Sequence, residues 1–456
     1  MQVAITAIIS LMAASSICAQ AAQEQNKATL NAGCEPSART SGTAGGSLWE
    51  DLFPILPWSP VHGWRPPYGN PRYGVESMAE CNFTVSGFAR TEDLPVCERL
   101  GLAAIMAPPD DEVPWKRPWR ALSDEEIDQR LRTMVKLAGN SSAVLGYFIV
   151  DEPGTREFGA LAKAVAAVKR YAPGKLAYIN LFPGYATIGA PDKSQLGAAS
   201  FTEYLERYAA EVKPQFISYD NYMIQYSDDL LDAGRAKNYF ADLLEVRRVA
   251  LKHDLPFWNI VSSNQIRKNT TIPSPANMML QAYTTLAAGG RGLSWYTYYG
   301  GSGPRPAYAY APIDHTGNKT ETWGYLQLVN HQVKTLGRIM NRLKSTGVFF
   351  DGPGMLDSLP PLPGRIIKEV HSTISPRGFA KTSLPVMIGE FTDDSGSDYV
   401  MIVNLSIERS GNLRITFAKA YGSKEIISAQ DGHVVALDEE NGLWLTAGQG
   451  ALIRLR

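Results

Sequence analysis

The chain lacks the features that mark several common ligand classes. It has only 4 cysteines and 6 histidines in 456 residues. None of them stands in a CxxC, an HExxH or a Cys/His cluster, so no metal has a local ligand set. There is no GxGxxG, no Walker loop and no GxSxG elbow. The usual signals for a nucleotide cofactor and for α/β-hydrolase chemistry are therefore missing, and no cofactor is expected. Charge of one sign is lacking too. Lys plus Arg number 44 against 45 Asp plus Glu, for a net charge of −1. No basic block or acidic tail interrupts that balance, whereas a nucleic-acid binder normally shows a basic field. Beyond residue 21, no apolar run reaches the roughly 20 residues that a membrane span needs.

Apolar residues (45%) and charged residues (20%) stand at ordinary globular levels, and the length suits two or three domains. Met1–Ala21 carries no charged side chain and is apolar from Val3 to about Ala14. It ends in Ala19-Gln20-Ala21, the small-x-small pattern of a signal-peptidase site. Residues 1–21 are thus expected to be a signal peptide, and the mature chain is expected in the periplasm or outside the cell. Residues 22–47 are polar and rich in Gly, Ser and Ala, and read as a flexible leader. Export permits disulfides among Cys34, Cys81 and Cys97. Cys81 with Cys97 is the favoured pair because both lie in one short stretch, although spacing leaves the connectivity open.

Eight short apolar runs follow: Phe53–Trp58, Asn82–Phe88, Leu102–Ala107, Val144–Val150, Leu176–Phe182, Phe216–Tyr222, Phe257–Ser262 and Gly292–Tyr298. Each is near-continuously apolar, as strands covered on both faces should be. Between them lie amphipathic stretches. Asp124–Ala138 places Ile127, Leu131, Met134, Val135 and Ala138 at helical spacing. Phe158–Tyr171, Thr202–Val212, Tyr239–Lys252 and Asn277–Ala288 are the other expected helices. Alternation with eight strands predicts an α/β fold, a (β/α)8 TIM barrel over residues 48–344. From residue 345 to 456 the pattern changes to alternating strands separated by turn signals, which predicts a small antiparallel β-sandwich. The Pro- and Gly-rich stretch Pro353–Pro376 reads as a bridge between the two.

A barrel of this kind carries its chemistry at the C-terminal ends of its strands. Strand 4 runs into Asp151-Glu152-Pro153, strand 5 carries Asn180, and strand 6 ends in Tyr219-Asp220-Asn221-Tyr222. Strand 1 ends in Trp58 with Trp64 in its loop, and strand 8 ends in Trp295 to Tyr299. Carboxylates, amides and aromatic faces at one rim suit a sugar: rings pack on pyranose faces, polar groups take hydroxyls, and two carboxyls divide acid and base roles. Glu152, Asp151 and Asp220 are the candidate catalytic residues. Trp58, Trp64, Asn180, Tyr222, Trp295 and Tyr298 are the candidate carbohydrate contacts, with Trp295 preferred as the platform over the tyrosines after it. The competing explanation of Asp151-Glu152-Pro153 is a helix cap, since Asp, Pro and first-turn acids all suit a helix start.

The phrases GYFIVDEPG, FISYDNY, GLSWYTYYG and NRLKSTGVFF resemble those of bacterial β-galactosidase-like barrel hydrolases that carry a C-terminal β-sandwich. The resemblance implies an acid/base Glu after strand 4, which Glu152 matches with Asp151 in place of the usual Asn. It also implies a nucleophile Glu at the end of strand 7, where Phe257–Gln265 has no carboxylate. The Asp-Glu pair is similar to that of the β-N-acetylhexosaminidases of families 20 and 123. There the substrate's acetamido group is the nucleophile, the Asp orients it and the Glu is the acid/base. The sequence therefore points to a secreted glycoside hydrolase. Glu152 is its general acid, and the partner is either Asp220 or a substrate acetamido group held by Asp151. A non-catalytic carbohydrate-binding barrel is the alternative, and an esterase or lyase on the same scaffold is a third.

Overall fold

The computed structural model describes residues 52–59, 74–107, 117–227, 230, 237–301, 308–354, 357–373 and 383–456. The expected signal peptide and leader, Cys34 and Trp64 lie outside the described residues.

All eight apolar runs form strands, each within or close to its expected bounds: β1 (Ile55–Pro57), β2 (Val85–Ala89), β3 (Ala103–Met106), β4 (Val144–Asp151), β5 (Leu176–Leu181), β6 (Ile217–Asp220), β7 (Phe257–Ser262) and β8 (Gly292–Tyr296). They make one parallel sheet in the order β1-β8-β7-β6-β5-β4-β3-β2. The seam between β1 and β2 is drawn together by Thr84. Its hydroxyl accepts from the Ile55 N–H at 2.8 Å and donates to the Phe53 carbonyl at 2.7 Å. The result is a near-closed (β/α)8 barrel. Inward side chains such as Leu56, Ile105, Tyr178, Trp258 and Ile260 pack one cluster in its lumen. Outward ones meet the helices in a second, larger core.

The helices are α1 (Val75–Glu80), α2 (Leu94–Leu100), α3 (Asp124–Ala138), α4 (Phe158–Tyr171), α5 (Phe201–Arg207), α6 (Lys237–Lys252), α7 (Pro275–Ala287) and α8 (Glu321–Met340). α3 starts where a capping box dictates. The Ser123 hydroxyl accepts from the Glu126 N–H, and the Glu126 carboxylate accepts from the Ser123 N–H. Its buried residues are Ile127, Leu131, Met134 and Ala138, with Arg130 beside them, so the three-and-four spacing reports the packed face. α7 is buried nearly all round, including Met278, Leu280, Tyr283 and Leu286. A helix buried in this way has protein on nearly every side, and its buried Gln281 and Thr284 are hydrogen-bonded. Among the described residues, no helix is long and apolar enough to cross a membrane.

After the barrel come nine antiparallel strands, β9 (Lys344–Asp351) to β17 (Gly450–Leu455). Between them lie β10 (Ile367–Thr373), β11 (Val386–Thr392), β12 (Asp398–Asn404), β13 (Gly411–Phe417), β14 (Lys424–Ile427), β15 (Val434–Ala436) and β16 (Leu443–Leu445). They form a three-stranded sheet, β10-β13-β16, and a six-stranded sheet, β15-β14-β17-β12-β11-β9. Val370, Leu413 and Leu443 of the first pack against Ile388, Val400 and Ile453 of the second, giving a two-layer sandwich. The stretch read as a bridge contains a strand. β10 lies within it, pairs with β13, and begins just past the Pro- and Gly-rich part. The other face of the six-stranded sheet contributes Met387, Met401 and Leu452 to the barrel's outer core, so residues 47–456 form one compact unit.

The favoured disulfide is absent. Cys81 and Cys97 are both buried, unpaired thiols, Cys81 directed at the Trp323 carbonyl at 3.7 Å. Burial is what holds both thiols well above their ordinary pKa.

α7 approaches the six-stranded sheet so closely that a Cβ on Gly389 would stand 2.0 Å from the Ala287 carbonyl oxygen. Gly389→Ala is therefore expected to cost about 1–3 kcal/mol, the usual range for overpacking. Urea unfolding checks this; an unchanged midpoint would show that the helix–sheet contact has slack.

Candidate active site

The site is built where β4, β5 and β6 end at the mouth of the barrel. On β5, Tyr178 and Asn180 point inward by strand alternation, and on β6 Ser218 and Asp220 do the same. On β4 the register against β5 shifts between Phe148 and Val150. This bulge brings Asp151 into register with Asn180, and re-aiming a side chain at a strand end is a usual role of bulges. Glu152 follows with φ +46°, a left-handed conformation that costs a non-glycine residue energy and clusters at functional sites. Its N–H is fixed to the Asn180 carbonyl at 2.9 Å.

One amide joins the acids. Asn180 Nδ2 donates to Asp151 Oδ1 at 3.0 Å and to Asp220 Oδ1 at 3.2 Å. Its Oδ1 accepts from the Ser218 hydroxyl at 3.1 Å, which in turn meets the Tyr178 hydroxyl at 3.2 Å. The carboxyls of Glu152 and Asp220 stand close enough for each to shift the other's protonation. Asp151 is open to the barrel mouth, Glu152 is half-buried, and Asp220 is only 2% exposed.

Their protonation follows from that placement. Burial first, then the Asp151 charge, pushes Glu152 up to about 7, while the Asp220 side chain works the other way. Burial, then the charges of Glu152 and Asp151, holds Asp220 well above the carboxylate range. Surrounding protein also raises Asp151, against the pull of Asn180. Among the described residues, no lysine, arginine or histidine sets these three carboxyls. Nor do the acids cap a helix. α4 starts at Phe158 after a turn at Thr155–Glu157, with no side chain of this pair on its N–H groups.

The expected aromatic platform moves. Trp295 is fully buried on the outer face of β8, its Nε1 donating to Asn330 Oδ1 at 2.9 Å. Tyr298 is also buried, bonded to the Ser77 hydroxyl at 2.8 Å and to Trp323 Nε1 at 3.0 Å. Trp58 is 7% exposed and sits edge-on to Phe88 at 4.7 Å within the lumen cluster. All three are packing residues. Asn180 has its amide committed to the two aspartates and Ser218, so it orients the acids.

Tyr222 does stand at the site, and the aromatic partners missed by sequence reasoning gather around it. Its ring lies 5.2 Å from that of Tyr296, which lies 5.4 Å from that of Tyr308, and the last two share a hydroxyl–hydroxyl bond. The Tyr222 N–H donates to the Tyr185 hydroxyl at 3.4 Å. The charges of Asp220 and Asp151 are felt at Tyr222 and Tyr296, which places both beside the acids. Strand parity held this signal. Tyr296 pairs with Ser262 and shares the inward side with Ser294, one residue from outward Trp295.

The end of β7 carries amides and no acid. Gln281 clamps the Ser262 backbone with bonds of 2.8 and 3.0 Å. Gln225 donates to the Ser262 hydroxyl and to the Asn264 carbonyl, and accepts from the Ile266 N–H at 3.1 Å. Among the described residues, no group of three His, Cys, Asp or Glu side chains is arranged to hold a metal ion.

Neither a family model nor a curated protein sequence matches the chain. Solved structures do. A β-galactosidase from Bacillus circulans sp. alkalophilus aligns with TM-score 0.57 and 8% identity over 89% of this chain and 99% of its own. A family 42 β-galactosidase from G. stearothermophilus, solved as a catalytic mutant, gives 0.53 and 10% over 89% and 98%. A family 5 glycoside hydrolase from Bacteroides vulgatus gives 0.51 and 11% over 89% of each chain. The fold is that of the (β/α)8 glycoside hydrolases. At such identities this glycoside-hydrolase likeness extends to architecture, with the C-terminal antiparallel sheets included, and assigns no residue a role.

Asp220 gives a stability test. Below the ordinary carboxylate range both folded and unfolded chains hold its proton. As pH rises, the unfolded chain releases it while the folded chain must keep it, so Asp220 destabilises more at higher pH. Asp220→Asn is expected to raise stability by about 0.5–2 kcal/mol at pH 8, the usual size of a stabilising change, and by less near pH 4. Calorimetry at the two pH values checks this; a Tm that falls equally at both would contradict it.

Proposed function

We propose that this chain is a glycoside hydrolase acting on oligo- or polysaccharides that carry 2-acetamido sugars. Glu152 is its general acid/base and Asp151 orients the substrate's acetamido group. The observation that carries this reading is which carboxyls face the mouth. Asp151 and Glu152 do, and Asp220 is buried behind them, close to Glu152. Inverting enzymes need about 6.5–9.5 Å between two working carboxyls, with water between them. An Asp220 that is only 2% exposed offers that water no room. A buried Asp220 suits a role behind Glu152, and the β7 rim supplies no second carboxylate.

Glu152, pushed up to about 7, is well matched to giving a proton to the leaving oxygen near neutral pH and taking one from water afterwards. The Asp151 carboxylate would accept the acetamido N–H, aligning its carbonyl oxygen on the anomeric carbon. Tyr222 and Tyr296 would supply the apolar wall for the ring. The N-terminal composition supports an exported protein, so the glycan would be met in the periplasm or outside the cell.

Glu152→Gln is expected to lower kcat about 10²–10⁴-fold, the usual worth of a general acid. Hydrolysis of aryl 2-acetamido glycosides measures this. Undiminished turnover would remove Glu152 from the mechanism. Glycan binding without turnover in wild type would favour the non-catalytic barrel, for which the missing β7 carboxylate speaks. Asp151→Asn removes the like charge beside Glu152, so the Glu152 pKa falls. The alkaline limb of the rate profile, where wild type loses its proton through about 7, is then expected at lower pH. An alkaline limb that moves up would contradict this electrostatic account.

A further inference from the structure

α6 carries an acid that the catalytic reading does not use. Asp242 is 5% exposed, and burial pushes it up to about 7. One oxygen, Oδ2, accepts two bonds: the Gly184 backbone N–H at 2.9 Å and Asn221 Nδ2 at 2.8 Å. These donors belong to different strands' loops. Gly184 lies just past β5, in the 182–200 segment, and Asn221 directly follows Asp220. The approach to Gly184 is so tight that a Cβ there would stand 2.1 Å from Asp242 Oδ1.

What these two loops carry gives the contact its meaning. Tyr185 follows Gly184, is 38% exposed, and its hydroxyl accepts from the Tyr222 N–H at 3.4 Å. The charges of Asp220 and Glu152 are felt at the Tyr185 hydroxyl, so that hydroxyl lies on the acids' side of the site. Asn221 Oδ1 accepts from the Met223 N–H at 3.0 Å, which sets the chain on the far side of Tyr222. The 182–200 segment also grips the chain after Glu152. The Thr155 N–H donates to the Leu196 carbonyl at 2.9 Å, and the Thr155 hydroxyl donates to the Gly197 carbonyl at 2.7 Å. One segment therefore bridges the Glu152 side of the site and the Asp220 side, and Asp242 fastens it at the Asp220 end.

We propose that Asp242 is a positioning residue for the sugar site: acting through Gly184 and Asn221, it holds Tyr185 and Tyr222 as one wall beside Asp220. The wall's job is affinity for the sugar ring, since the proton for the glycosidic oxygen is assigned to Glu152. The groups that feel the Asp242 charge are tyrosines, Tyr185 and Tyr219, and it has no ion-pair partner among the described residues. A buried acid kept without a cation is a destabilising choice for a surface-layer helix, and such choices concentrate at functional sites.

The inference rests on the glycosidase reading for its kinetic arm only. Kinetics on para-nitrophenyl N-acetylglucosaminide and N-acetylgalactosaminide, in both anomers, would compare wild type with Asp242→Ala, Asp242→Asn, Gly184→Ala and Tyr185→Ala. Asp242→Ala is expected to raise KM about ten-fold with kcat within about two-fold, the pattern of lost uniform binding. Asp242→Asn keeps an acceptor oxygen and should restore most of the loss. Gly184→Ala should reproduce the KM rise with the carboxyl intact. Adding Asp242→Ala to Tyr185→Ala should change KM little further, since both act on one wall. Hydrogen exchange needs no substrate: the Gly184 and Tyr222 amides should lose protection in Asp242→Ala and keep it in Asp242→Asn. An unchanged KM, a fall in kcat alone, additive losses, or full protection of both amides in Asp242→Ala would overturn the proposal. A wild type inactive on every substrate would overturn the glycosidase reading instead, and the amides would then decide the brace.

Discussion

The side-chain amide of Asn180 is the contact on which the site depends. Two carboxyls from β4 and β6, the strands on either side of β5, would repel each other at the barrel rim, where no cation among the described residues separates them. Asn180 offers one N–H to each and brings Asp151 and Asp220 to the same side chain. Its own orientation is fixed from below by Ser218 and Tyr178. That chain of bonds is possible only because strand alternation puts Tyr178 and Asn180, and likewise Ser218 and Asp220, on the inward face. The bulge in β4 adds Asp151 to the set, and the left-handed turn at Glu152 places the next carboxyl against Asp220. Geometry and protonation then have one origin: acids crowded together, with no counter-charge among the described residues, are all raised above their ordinary pKa.

Such crowding is destabilising, and the fold absorbs it elsewhere. The lumen is filled by large rings, with Trp58, Phe88 and Phe148 packed edge to face and Tyr178 tilted against them, just below the acids. On the outside, α7 is covered by the six-stranded sheet with contacts close enough to require glycine at Gly389, Gly448 and Gly450. Barrel and sandwich thus share apolar surface, and the sandwich braces the β7–β8 side of the barrel. That is the side on which Gln225 and Gln281 lock the end of β7 with amides. A strand end tied up in this way presents hydrogen-bonding groups and no nucleophile, and this directs attention to a nucleophile on the substrate.

Much of the fold was legible because buried parallel strands and amphipathic helices leave distinct periodicities. Asp124–Ala138 and Phe158–Tyr171 have the bounds their apolar spacing indicates. β10 escaped because it lies behind a Pro- and Gly-rich stretch. α8 escaped although Leu326, Val329, Val333 and Leu336 carry helical spacing. At the site, Asp151, Glu152 and Asp220 were readable as acids at the ends of apolar runs. The aromatic wall was not, because the strand-end position favoured Trp295, while inward parity belongs to its neighbour Tyr296. Tyr185, Gln225 and Asp242 lie in loops or on a helix far along the chain. Only the packing of α6 and the loop after β5 against the β6 end brings Tyr185 and Asp242 to the site, and no local pattern announces that. The Cys81–Cys97 pairing failed for a related reason, since nearness in sequence does not aim two thiols at each other.

The claim at the centre of this account is that Asp151 and Glu152 work together while the substrate supplies the nucleophile. Proton NMR of the first-released anomer tests it most directly, using paired aryl glycosides that differ only in a 2-acetamido or a 2-hydroxyl group. The account requires hydrolysis of the acetamido sugar with retained configuration and little or no hydrolysis of its 2-hydroxyl twin. Inverted product, or equal turnover of both sugars, would contradict it and return the second role to a carboxylate of the protein.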